Sequence, residues 1–139
     1  MNPLNAYRKQ TQTAWTRIEM LLALYNATIE SLDAGIDLLN RQDLNGYPQV
    51  QLRTVERLLA LVDGIDSEAA EPASRIRDLC VFCIGQIAQP SLSGWISARE
   101  VLATLRDGFD AIREEGVRLE ADGTIPALSL ATSQTLLHA

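Results

Sequence analysis

Apolar side chains recur every three to four positions through four stretches of the chain, and Gly, Pro, Asn and Asp collect in the gaps between them. That spacing is the signature of amphipathic helices. The first stretch runs from Arg17 to Asn40, where Ile18, Leu21, Leu22, Tyr25, Ile29, Leu32, Ile36 and Leu39 make one stripe and Thr16 stands ready as its N-cap. Asn45-Gly46 is a turn signal, and Pro48 suits the first position of a second helix that reaches about Val62 with Leu52, Val55, Leu58, Leu59 and Val62 inward. Asp63-Gly64 stops it. An acidic linker with Ser67, Glu68 and Glu71 leads to Pro72 and a third helix that ends before Pro90. Its inner face is Ile76, Leu79, Cys80, Cys83 and Ile87, while Val81, Phe82 and Ile84 fall on its other sides. It should therefore be the most buried helix or the one most engaged by a partner. A fourth helix starts at the capping-box run Ser97-Ala-Arg-Glu100, or a few residues earlier near Ser93. Leu102, Leu105, Phe109, Ile112 and Leu119 carry it forward, and Gly123 and Pro126 end it.

Four helices joined by short connections imply an all-α fold, an antiparallel up-and-down four-helix bundle to which a short extra helix or an N-terminal cap segment can be added. No strand alternation is present. The expected division is a helical domain over residues 1–123 and an uncharged tail over 124–139. The composition, 47% hydrophobic and 22% charged, is that of a globular chain of 139 residues, long enough to bury one core without disulfide or metal staples. A net charge of −6 argues against nucleic acid and anionic membranes, which need basic residues. No run of about 18 apolar residues suggests a membrane span, and no N-terminal apolar run suggests a signal peptide, so the expected compartment is the cytoplasm.

At about 100° per residue the first helix carries a second apolar stripe, Met20, Leu24, Ala27, Ser31, Ala34 and Leu38, on nearly the opposite side from the first. Glu19, Asn26, Glu30, Asp33 and Asp37 form one polar edge between the stripes, and Arg17, Thr28 and Gly35 form the other. Met20, Leu24 and Leu38 would each contribute about 1.5 to 3 kcal/mol on burial, so this face must meet something. Its cover is either a partner segment or the chain itself, through the N-terminal segment, the tail or the seam with another helix.

Sites for chemistry are scarce. Cys80 and Cys83 sit in an apolar helical run, and the only histidine, His138, is near the end of the chain. Core packing therefore explains the cysteines better than a metal or redox pair. The acidic row on the first helix reads as a solvated edge, and Trp15 and Trp95 read as amphipathic anchors near helix starts. No phosphate loop or catalytic triad is visible, which points away from an enzyme and from cofactors or metals.

The run Asn5-Ala-Tyr7, the stretch from Gln10 to Thr16, and Glu19-Met-Leu-Leu-Ala-Leu-Tyr25-Asn-Ala-Thr-Ile29 resemble the flagellar secretion chaperone (FliS) family. Leu58-Leu-Ala-Leu-Val-Asp63 and Leu105-Arg-Asp-Gly-Phe109 are more loosely similar to its later helices. Arg17 replaces the proline before the family's first helix, Asn26-Ala27 replaces its Asp-Gly, and the second N-terminal tyrosine is missing. The resemblance implies a helical bundle that binds the disordered C-terminal segment of flagellin in apolar grooves, prevents its premature polymerisation and presents it to an export-gate component. It also implies that the segment around Tyr7 can lie over a groove and be displaced. The residues that follow as partner-binding candidates are Tyr7, Met20, Leu21, Leu24, Tyr25, Ala27 and Leu38. The competing expectation is a homodimeric or docking helical module for an unrelated protein, with the second stripe as the shared interface.

Overall fold

A computed structural model describes residues 16–65 and 73–123, and within them the chain forms five helices and no strand. These are α1 (Arg17–Asn40), α2 (Tyr47–Asp63), α3 (Ala73–Gln86), α4 (Leu92–Ala111) and α5 (Arg113–Ala121). Asn5, Tyr7 and Trp15, the linker residues Ser67 to Pro72, and the tail 124–139 lie outside the described residues.

Local chemistry sets most of the helix ends. Thr16 caps α1, its hydroxyl oxygen accepting the Glu19 N–H at 3.2 Å and donating to the Glu19 carboxylate at 2.9 Å. Gly46 precedes α2 and Pro48 sits in its first turn, where a missing N–H costs nothing. Ser91 rather than Ser93 or Ser97 caps α4, its side chain accepting the Gly94 N–H at 3.3 Å. Ser97 and Glu100 therefore belong to the helix interior. α3 stops at Gln86, four residues before Pro90, which has no N–H to continue the ladder, and the Ile87 and Ala88 carbonyls beyond it accept from the Gln51 side-chain amide of α2 at 2.9 and 3.1 Å.

The four longer helices pack as a ring in chain order, α1 against α2, α2 against α3, α3 against α4 and α4 back against α1, and α5 folds onto α1. α1 is the best-covered member. Leu24, Tyr25, Ile29 and Leu32 from it join Leu58, Leu61, Cys80, Cys83, Ile87, Trp95, Ala98 and Leu102 in one core.

The two stripes of α1 are not two faces. Buried positions sweep without interruption from Met20 and Ser31 through Leu24, Gly35, Thr28, Leu32 and Tyr25 to Ile29 and Leu22, an arc of roughly 200° on a helical wheel. The edge made of small residues is its centre. Trp95 of α4 lies flat enough on Gly35 that a Cβ there would stand 2.2 Å from its ring. Thr28 is buried because its hydroxyl donates to the Leu24 carbonyl at 2.7 Å within its own helix. The solvated edge remains Glu19, Asn26, Glu30, Asp33 and Asp37, and there Arg99 and Arg106 of α4 reach Asp33 and Asn26.

Three further expectations are corrected. α3 is not the most buried helix, since only Cys80 and Cys83 of it are buried and Val81 is 52% exposed. Leu52 (61% exposed) and Leu59 do not face inward, because α2 turns Tyr47, Thr54, Leu58 and Leu61 to the core and places these leucines roughly 130 to 150° round from that face. Trp95 is wholly buried instead of half-wet, with its indole N–H donating to the Tyr47 hydroxyl at 3.1 Å.

The fourth helical stretch is also broken at Ile112, whose backbone (φ −107°, ψ 11°) leaves the helical basin. The break turns α5 towards the start of α1. There a Cβ on Gly116 would lie 3.0 to 3.2 Å from the Ile18 side chain, so the glycine sets how closely the two helices approach.

Gly35→Val is expected to cost about 2 to 3 kcal/mol by overpacking the rigid indole, read as a lower urea midpoint. Gly108→Ala, at a position with nothing within 4 Å of the added carbon, is expected to stabilise by up to about 1 kcal/mol.

Candidate functional site

The two ends of the ring are built differently. At one end, the close of α1, the start of α2, the close of α3 and the start of α4 meet around Trp95 and Tyr47, whose rings stack edge-on with centroids 5.6 Å apart. The Tyr47 hydroxyl accepts from Trp95 and donates to the Ile87 carbonyl at 3.4 Å. This end is sealed.

At the other end the start of α1, the close of α2, the start of α3, the close of α4 and α5 surround two adjoining apolar grooves. The first, about 280 Å³, lies between α1, α4 and α5 and is walled by Ile18, Leu21, Phe109, Ile112 and Leu119, with Arg17, Glu115 and Glu120 also in its lining. The second, about 290 Å³, lies between α1, α2, α3 and α4 and is walled by Leu21, Tyr25, Leu61, Ile65, Ile76 and Phe109. Leu21 and Phe109 belong to both, so the grooves form one apolar valley with a shared floor. Phe109 is held by Tyr25, the ring centroids being 5.5 Å apart. A third depression on the α3–α4 seam has Leu79, Val101 and Leu105 for walls but Ser97, Glu100 and Thr104 among them.

The partner-binding candidates separate into groups. Leu21 lines both grooves and Tyr25 lines the second. Met20 and Leu24 are buried, 1% and 3% exposed, and line neither groove. Ala27 lies under α2, its carbonyl accepting from the Arg57 guanidinium at 2.8 Å, and the same guanidinium reaches the Ser31 hydroxyl. Leu38 is half-buried with its methyls 3.6 and 3.8 Å from the position of a Gly46 Cβ. Both lie away from the valley. Tyr7 lies outside the described residues. Periodicity missed Phe109, Ile112 and Ile18 as surface residues because it assigned them to helix interiors. The break at Ile112, which opens the first groove, has no proline or turn pair to announce it.

The cysteines are buried in the centre of the core, Cys83 with its thiol donating to the Ala98 carbonyl at 3.7 Å. Burial pushes the Cys80 thiol up to about 11, against a smaller opposing effect from its hydrogen bond with the Tyr25 hydroxyl. Burial, with the neighbouring Cys80, pushes Cys83 up to about 12. Burial, then the two thiols beside it, holds the Tyr25 hydroxyl well above its ordinary value. A thiolate is thus disfavoured at neutral pH, as expected for thiols packed in a core. Among the described residues no three His, Cys, Asp or Glu side chains gather as a metal site, and no helix is long and apolar enough to cross a membrane. No protein-family model, curated protein or solved structure matches the chain.

Because folding raises both thiol values from an ordinary 9.0, their contribution to stability is complete below pH 9 and is lost as pH rises towards 11 and 12. The urea midpoint is expected to fall above pH 9, and less so in Cys80→Ala/Cys83→Ala. An alkylating agent at pH 7.5 should label neither thiol until the chain is unfolded.

Proposed function

We propose that this chain is a cytoplasmic chaperone of flagellar export, similar to the FliS family, that holds the disordered C-terminal segment of flagellin along the apolar valley. In this reading α1 to α4 are an antiparallel up-and-down four-helix bundle, α5 is the extra helix, and the bound client is kept from polymerising until an export-gate component receives it. No reaction is catalysed, and neither nucleic acid nor a membrane takes part.

The observation that carries the reading is the position of Leu21 and Tyr25. Both belong to the Glu19-to-Ile29 run that resembles the family, and both line the open end of the molecule. In a helix-in-groove mode the partner's anchors read an apolar strip, and Ile18, Leu21 and Tyr25, at i, i+3 and i+7 of α1, supply such a strip here. The floor shared by the two grooves, Leu21 and Phe109, is apolar, so a client can pack on it without burying charge there. Ordering a disordered client costs several kcal/mol, which suits a holder that must release its cargo.

The alternative, a homodimeric or docking module, draws its support from the outer side of α2 and α3, where Leu52, Leu59 and Val81 are exposed. Light scattering that gives the monomer mass at micromolar concentration would count against it.

The chain is expected to form a one-to-one complex with the last forty or so residues of its own organism's flagellin, measured by calorimetry. Leu21→Ser, at the floor shared by both grooves, should weaken that complex at least tenfold, about 1.4 kcal/mol, with helical circular dichroism unchanged. Absence of binding to the unmodified chain would sink the flagellin reading.

A further inference from the structure

The helix that closes the first groove is weakly held. α5 has nine residues, none of them buried, no side-chain hydrogen bond at its N-terminus, and sparse contact with α4, from which the Ile112 break separates it. Two of its contacts with α1 define how it is seated. Gly116 rests on Ile18, and the Glu120 carboxylate accepts the Arg17 backbone N–H at 3.3 and 3.4 Å, where the positive end of the α1 dipole favours an anion. Between these contacts the apolar walls do not close, leaving the gap of about 280 Å³. A gap of that size withholds contacts from its lining, so the seating of α5 is poorly packed.

The register of α5 matters as much as its weakness. Ile112, Gly116 and Leu119 face the groove at i, i+4 and i+7, the spacing by which a docked amphipathic helix addresses a groove. Its opposite side is charged, with Arg113, Glu114 and Arg118 exposed.

We propose that α5 is a resident, displaceable occupant of the first groove, an autoinhibitory helix that swings at Ile112 and yields the strip formed by Ile18, Leu21 and Phe109 to an incoming client helix. As a statement about the client the proposal rests on the reading of the valley as a client site. The displacement itself does not, and it can be measured without any client. Gly116 keeps the contact shallow: a larger residue would either anchor the helix or force it off, whereas glycine lets it sit close while contributing no side chain to the groove.

The test is to fasten α5 down. A Cβ on Gly116 would stand 3.2 Å from the Ile18 Cβ, a few tenths short of the roughly 3.5 to 4.5 Å of a disulfide, so the full chain carrying Ile18→Cys and Gly116→Cys should oxidise to a locked form. The native thiols are buried and do not compete. Binding of 8-anilinonaphthalene-1-sulfonate, an apolar dye, is expected to fall at least threefold on oxidation and return on reduction. Affinity for the flagellin C-terminal peptide is expected to fall at least tenfold on the same change. Gly116→Val, which wedges the helix away, should raise dye binding. Equal dye binding by the oxidised and reduced forms, with no rise in Gly116→Val, overturns the lid. Peptide affinity that oxidation leaves unchanged also overturns it. If the peptide binds neither form, the flagellin reading fails and the dye decides the lid alone. Should the double variant not fold, Gly116→Val decides, and dye binding at the level of the unmodified chain overturns the proposal.

Discussion

The seating of Trp95 on Gly35 is the contact on which the remaining packing depends. An indole is large and rigid, and it can be buried whole only where the facing helix presents no side chain. Gly35 presents none, and the indole N–H is satisfied by Tyr47, which in turn binds the Ile87 carbonyl. One aromatic residue thereby ties α4 to α1, to the start of α2 and to the close of α3. The same contact explains why α1 is buried over so wide an arc. With α4 drawn against Gly35 and Thr28, and α2 held over Ala27 and Ser31 by Arg57, the apolar stripes become the two flanks of one interface.

A sealed end has a counterpart. Helices pinned at one pole by aromatic packing and interhelical hydrogen bonds enclose apolar grooves at the other, where Tyr25 and Phe109 pack among aliphatic walls. Local stability is expected to grade along the molecule, and regions that bind or move are drawn from its less stable part. The grooves, the break at Ile112 and the lightly held α5 all lie at that pole. A holder of flagellin, as proposed, would then have its rigid part and its adaptable part at opposite ends of the same four helices.

The absence of buried charge in the core is consistent with this division of labour. Arg57 reaches into an interface to meet a backbone carbonyl, and burial lowers its affinity for a proton, with Arg53 adding to the effect and Glu30 opposing it. Its five donors suit a bridge between helices better than a single ammonium would. The other ion pairs, such as Arg99 with Asp33, are solvated and add little to stability.

The order of the helices, the Thr16 cap and the proline in the first turn of α2 were all legible in the chain, because each depends on chemistry within one or two helical turns. The break at Ile112, the inward turn of Thr54 over Leu52, and the buried edge at Thr28 and Gly35 were not. A pattern of apolar positions ranks side chains by their affinity for water, and on that scale threonine and glycine belong outside. Tertiary packing ranks them by the room they leave. Sequence alone determined that this protein is made of amphipathic helices and roughly where each begins. Only the three-dimensional structure decided which of their faces are shared, because the shape of Trp95 and the smallness of Gly35 acquire their meaning from each other, at sixty residues' distance along the chain.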